Sequence, residues 1–184
     1  MADEVYSYEL KINKERIAVL IGTKGETKKD IERETGCGID VDSTEGDVVI
    51  SGKDAVMLFA LREVIKAIGR GFNPDLSKQL LKQDNLLEVI SLNEYSREKS
   101  HQQRLKGRVI GMEGKSRNTI EELTECYISV YGKTIAIIGK VEMVAICKRA
   151  VEMLLAGSPH SNVYKWLERQ RRLMRKTGLD GGGF

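Results

Sequence analysis

The chain has 184 residues, 41% hydrophobic and 31% charged, with a formal net charge of +3. No apolar run approaches the ~20 residues a membrane helix requires. The three cysteines, Cys37, Cys126 and Cys147, form no C-x-x-C pair and are odd in number, which argues against a zinc site and a disulfide framework. The acidic start Met1-Ala2-Asp3-Glu4 lacks the cationic and apolar regions of a signal peptide, so a reduced, cytoplasmic protein is expected.

In chain order, Tyr6 to Ile12 alternates and reads as a strand. Asn13 is placed to cap a short helix carrying Ile17, Leu20 and Ile21. The loop Gly22-Thr23-Lys24-Gly25 follows, then a helix from Glu26 to Thr35. Gly38 to Asp42 and Asp47 to Ser51 read as paired strands. Lys53 to Gly69 has the apolar spacing of a long amphipathic helix. Pro74 disfavours helix at Asn73, and Asp75 to Lys82 reads as one more short helix. The same order then recurs. Leu86 to Leu92 is a strand, Ser96 to Ile110 and Lys115 to Glu125 are helices, Cys126 to Tyr131 and Lys133 to Ile138 form a hairpin, and Val141 to Leu155 is a helix. Asn162 to Lys176 is a further helix, strongly basic, and Gly178 to Phe184 is a glycine-rich tail.

The recurrence is residue by residue. Ile21-Gly22-Thr23-Lys24-Gly25 and Ile110-Gly111-Met112-Glu113-Gly114 lie 89 positions apart. In that register Ile31 matches Ile120, Glu32 matches Glu121, Cys37 matches Cys126, Ile39 matches Ile128 and Val41 matches Val130. A repeat of this length indicates two similar folded units rather than a solenoid. The expected division is a first domain at 1–72, a linker at 73–84, a second domain at 85–157, and a basic helix with its tail at 158–184.

A G-x-x-G turn between two helices has a definite physical use. Glycine lets the backbone turn tightly and lie close to a ligand. The helix that follows presents unpaired N–H groups and its positive dipole end, a binding place for phosphate. Lys24, Lys28 and Lys29 add charge around the first loop. Lys106, Arg108, Lys115 and Arg117 surround the second, which carries Glu113 within it. The helix carrying Ile17 and Ile21 and the strand carrying Ile39 and Val41 can wall an apolar groove for unstacked bases. Ile39, Val41, Ile128 and Val130 are expected to floor the two grooves, and Ile110 is counted with the second site.

Both units resemble KH domains. The I-G-x-x-G turn, an isoleucine six residues on, and the I-x-V strand stand at Gly22, Gly25, Ile31, Ile39 and Val41, and again at Gly111, Gly114, Ile120, Ile128 and Val130. The resemblance implies an α+β fold of two type I KH domains, each β-α-α-β-β-α, in tandem with a C-terminal helical extension. It also implies that each G-x-x-G loop clamps single-stranded nucleic acid. The second unit departs from the pattern at Glu125, where the turn glycine stands in the first, and at Glu113, a negative charge where phosphate should lie.

With the segment Gly157-Ser158-Pro159-His160 and the helix beyond it, the chain is similar to the archaeal Dim-two or partner-of-Nob small-subunit assembly factors. That resemblance implies binding of single-stranded ribosomal RNA near the small-subunit 3′ end, without catalysis. It implies as partners the endonuclease that matures that end and other assembly or translation factors. Two rivals remain: a general KH regulator of messenger RNA or translation, which shares the loop chemistry, and a protein-interaction scaffold with weak RNA binding, whose loops no longer grip RNA.

No catalytic residue, metal site or cofactor is expected. Gly114-Lys115-Ser116 ends like a P-loop, but the glycine that motif needs five positions earlier is Val109. His101 and His160 lack partners in any recognisable catalytic or metal-binding spacing. The C-terminal helix has Val163, Trp166, Leu167, Gln170, Leu173 and Met174 along one side. That side is expected to dock on the KH units, with Trp166 a core residue, and the cations are read either as a solvated face or as a contact for RNA or protein.

Overall fold

The computed structural model describes residues 5–177, and the tail from Gly178 lies outside them. Two compact units divide after Leu87. Unit one runs through β1 (Tyr6–Lys11), α1 (Lys14–Ile21), α2 (Glu26–Thr35), β2 (Gly38–Asp42), β3 (Asp47–Gly52), α3 (Ala55–Gly69) and a short α4 (Pro74–Ser77). Its sheet has the order β1-β3-β2, antiparallel throughout. Tyr8 and Ile39 both pair with Ile50, so these three project from the same face. Ile39, Val48 and Ile50 on that face are buried, as are Leu20, Ile31, Leu58, Leu61 and Ile65 of the helices. Asp40 and Val49, which alternate with them, are exposed.

Local chemistry sets the ends of the elements. α3 starts at Ala55, later than the sequence suggests, because the Asp54 carboxylate accepts the N–H groups of Val56 (2.9 Å) and Met57 (3.1 Å). Asn73 caps α4 by accepting from Leu76 N–H at 2.8 Å, with Pro74 at the first helical position. A 3-10 turn, Lys78–Leu81, continues from α4. Both pack on α3, Leu80 is buried, and Lys78 pairs with Glu34 at 3.1 Å. The segment expected as a linker is therefore folded into unit one.

Unit two contains β4 (Asn85–Ser91), whose first three residues precede the division, then α5 (Lys99–Ile110), α6 (Lys115–Thr124), β5 (Tyr127–Tyr131), β6 (Thr134–Lys140), α7 (Val141–Leu155) and α8 (His160–Lys176). Its strand order, β4-β6-β5, repeats that of unit one. α5 begins three residues later than expected. The preceding loop is fixed by Gln102, whose buried amide donates to Asn93 Oδ1 (2.9 Å) and the Ser96 carbonyl (2.7 Å). A buried amide without partners would be costly, so this loop and this glutamine hold one another.

The core of unit two gathers Leu92, Val109, Ile120, Ile135, Ile137, Cys147, Val151 and Leu154. Val163 and Leu167 of α8 belong to it, with Tyr164 and Trp166 packed against it. α8 is thus a structural part of the second unit, and Trp166 is a packing residue. The units share a further device. The residue after the first strand donates its N–H to the turn of the hairpin, Ile12 to the Gly46 carbonyl (3.0 Å) and Leu92 to the Lys133 carbonyl (2.9 Å).

Candidate nucleic-acid interface

The two loops have one backbone conformation. Gly22, Lys24 and Gly25 take φ of 73°, 52° and 77°, and Gly111, Glu113 and Gly114 take 73°, 51° and 76°. The two glycines of each loop are needed for different reasons. A Cβ on Gly22 would lie 2.9 Å from the Thr27 nitrogen, and one on Gly111 would lie 2.7 Å from the Ser116 nitrogen. The first glycine therefore lets the loop fold down on the next helix. A Cβ on Gly25 would meet nothing within 4 Å among the described residues, so there the left-handed backbone alone calls for glycine. That open face is where a ligand can approach the main chain.

Gly25 and Gly114 are the N-caps of α2 and α6, and among the described residues neither cap makes a side-chain hydrogen bond. The Glu26 and Lys115 amides already donate to the Thr23 and Met112 carbonyls, and the following first-turn amides, at the positive end of a ten-residue helix, suit an anionic oxygen. Lys24 and Glu113 are left-handed without being glycine, a conformation costing roughly 1–2 kcal/mol. Both side chains are exposed, and Met112 beside Glu113 is 85% exposed. Each loop thus holds a strained turn that presents its two central side chains to solvent.

In unit one the sequence-predicted residues converge. Ile21, Gly25, Lys28, Lys29 and Val41 line a groove of ≈ 300 Å³ together with Glu32 and Asp40. β2, which carries Val41, is an edge strand. The two acids were not anticipated as site residues. Glu32 holds the local structure together, since its Oε1 accepts the Ile39 N–H at 2.8 Å and lies 3.9 Å from Lys28 Nζ. Unit two repeats this, with Glu121 Oε1 accepting from Ile128 N–H at 2.7 Å and Oε2 at 4.0 Å from Arg117 Nε. Lys28 and Arg117 are therefore each steered by a carboxylate one turn on. The match of Glu32 with Glu121 in the repeat was the signal for this pair.

The cavity beside the second loop, ≈ 480 Å³, is lined by Met112, Glu113, Lys115, Asn118, Thr119 and Glu122. It takes in a different face of α6 from the one matching the unit-one groove. Ile110 and Val130, the counterparts of Ile21 and Val41, are half-buried. Lys106 is half-buried on α5, and Lys115 is exposed in the first turn of α6.

Two expectations are corrected. Ile39 and Ile128 do not floor the grooves: they share a strand face with Val41 and Val130, but packing in the cores leaves them only 3% and 4% exposed. Val41 and Val130 keep accessible surface. Arg108 does not stand ready for phosphate. Its Nε donates to the Leu154 carbonyl (2.9 Å) and its Nη2 to the Ser158 carbonyl (2.6 Å). His160 Nε2 in turn lies 2.8 Å from the Arg108 carbonyl. Arg108 is a clamp that fixes the end of α7 and the start of α8 against α5.

Comparison with known proteins agrees with this geometry. Residues 86–172 match the model of the eukaryotic-type KH domain (KH domain type I) that stands second in PNO1, and residues 7–66 match the general KH domain model. A KH domain-containing protein of Methanocaldococcus jannaschii is 48% identical over 93% of this chain and 77% of its own length. The RNA-binding protein PNO1 of Oryzias latipes is 32% identical over 61% of this chain and 47% of its own. Among solved structures, Dim2p of Pyrococcus horikoshii OT3 is 43% identical with a TM-score of 0.84, covering 89% of this chain and 99% of that one. The same organism's Dim2p in a complex with a/eIF2alpha and rRNA is 42% identical with a TM-score of 0.87, covering 91% and 95%. The chain belongs to the family of tandem KH-domain proteins that includes archaeal Dim2p and the PNO1 proteins.

Proposed function

We infer that this protein binds single-stranded RNA through its two G-x-x-G loops and serves as a non-catalytic factor in small-subunit ribosome assembly in the cytoplasm. The observation that carries the reading is the pair of loops with matching dihedrals, each leading into a helix without a side-chain cap. Such a turn offers main-chain amides to phosphates, while Ile21 and Val41 in unit one provide an apolar wall for bases. The ribosomal target is supported by the relative whose structure holds rRNA. We place the site near the small-subunit 3′ end, with the initiation factor subunit and the 3′-end endonuclease as partners. Lys24, Lys29 and Lys115 are the cations assigned to phosphate, and Lys106 and the two ion-paired residues Lys28 and Arg117 support them.

Replacing Thr23-Lys24, or Met112-Glu113, by Asp-Asp tests the loops. Aspartate tolerates the left-handed position, so the fold should persist. Each double variant is expected to bind single-stranded RNA at least tenfold more weakly in fluorescence anisotropy, with an unchanged circular dichroism spectrum. Unaltered affinity in both would favour a protein scaffold. Competition between a small-subunit 3′-end fragment and unrelated single strands tests the ribosomal assignment, and equal competition would favour a general KH regulator.

A further inference from the structure

The charge of this protein is concentrated in one helix. Between Lys165 and Lys176, α8 carries six cations, Lys165, Arg169, Arg171, Arg172, Arg175 and Lys176, and one carboxylate, Glu168. That local charge of +5 exceeds the +3 of the whole chain, so the remainder is net negative. The arrangement is directional. Val163 and Leu167 are buried in the core of unit two, and the positions on the opposite side of the helix are Lys165, Arg169, Arg172 and Lys176. Spaced at i, i+4, i+7 and i+11, they form one exposed row about 16 Å long at 1.5 Å per residue. Among the described residues, Arg172 alone of the four lies beside a carboxylate, Glu168 at 3.7 Å, and both partners are well exposed, so that pair is weak.

The row is fixed relative to the second loop. Arg108 lies three residues before Gly111 and grips the Ser158 carbonyl, and His160, the first residue of α8, contacts the Arg108 carbonyl. α8 also packs directly on α6, the helix that the second loop opens. We propose that the outward row Lys165, Arg169, Arg172 and Lys176 is a second, sequence-independent contact for the phosphates of the same RNA strand. Charge complementarity selects this occupant: a row of four like charges along one face of a helix, with the half-exposed Leu173 at its margin, fits a polyanion. The inference rests on the RNA-binding reading above.

The test uses the full chain and a single-stranded oligouridylate, with affinity measured by anisotropy across a salt series. Changing all four residues to glutamine is expected to weaken binding at least tenfold at low salt. It should also flatten the plot of log affinity against log salt by about 0.7 per lost contact. A charge-matched control replaces the exposed Lys11, Lys14, Arg33 and Lys82 by glutamine and should leave the slope near that of the parent. Exchanging lysine for arginine and arginine for lysine along the row should preserve both affinity and slope, and it keeps the test decisive if the neutralised helix frays. A parent-like slope in the glutamine variant, or an equal loss in the control, overturns the proposal. So does lost binding by the folded exchange variant. If the parent itself fails to bind the oligonucleotide, the RNA-binding reading fails instead. If the loop variants lose binding while the row variant does not, only the present inference fails.

Discussion

Arg16 and Arg108 solve one problem from two different places. Arg16 donates through Nε to the Ile68 carbonyl (2.8 Å) and through Nη2 to the Phe72 carbonyl (2.6 Å). Arg108 makes the same pair of bonds to Leu154 and Ser158. In the loop register, however, Arg16 matches Leu105, which is buried in the core, and Arg108 stands one helical turn further on. A planar fork on a long side chain reaches two carbonyls four residues apart from either position. Arg108→Ala is therefore expected to destabilise unit two by about 2 kcal/mol or more, since hydrogen bonds from a charged donor contribute roughly 1.5–3 kcal/mol each. Arg108→Lys should recover only part of this. Urea denaturation measures both. A phosphate-holding Arg108 would give the opposite outcome, with stability unchanged and RNA affinity reduced.

At the scale of the element, the second helix of each unit ends in a left-handed residue, Gly36 with φ of 68° in one and Glu125 with φ of 53° in the other. Glycine adopts this conformation without the Cβ cost, which is why it predominates at helix ends. Glu125 is exposed and holds the turn at a cost of about 1 kcal/mol. Glu125→Gly is expected to raise the stability of unit two by about that amount, read as a higher denaturation midpoint with an unchanged slope. A neutral or lower midpoint would mean that the glutamate side chain contributes something the turn does not reveal. The loops themselves follow the same logic, but there Lys24 and Glu113 keep their side chains in the strained position. Strain held in two equivalent places points to a use for the exposed side chain.

For the molecule as a whole, the three thiols report on folding. Cys37, Cys126 and Cys147 are 4%, 2% and 0% exposed. Burial raises the Cys37 thiol above its usual range. The hydrogen bond with Cys126, followed by burial, raises Cys147 further. The same hydrogen bond lowers Cys126, so what protects all three alike is burial, which keeps thiol reagents from reaching them. Native protein is expected to resist an aromatic disulfide reagent at pH 8. Labelling at Cys37 should track the opening of unit one, and labelling at Cys126 and Cys147 the opening of unit two, as mapped by mass spectrometry. Rapid labelling of native protein at any of the three would contradict the buried placement. The sign of the linkage is set by the raised values: the contribution of Cys147 to stability is full below the ordinary thiol range and is lost as pH rises through its raised folded value.

The repeat, the order of elements in each unit and the position of both loops were legible in the chain. Glycines at fixed spacing and alternation along the strands are local demands that any folded form must meet. Ile21 and Val41 were legible as wall residues of a groove, and Gly25, Lys28 and Lys29 as residues at or around its loop, for the same reason. Other outcomes depended on neighbours distant in sequence. Ile39 and Val41 carry the same pattern, yet packing against the helices buries one and leaves the other accessible. The residues expected as a linker fold onto α3, and the apolar side of the C-terminal helix, expected to dock on the KH units, does so in the core of unit two, because apolar surface is covered by whatever segment the topology brings near it. By sequence, Arg108 is a cation beside a G-x-x-G loop expected to hold phosphate. The tertiary structure makes it a clamp, since two carbonyls some fifty residues away take the donors that RNA would otherwise have met.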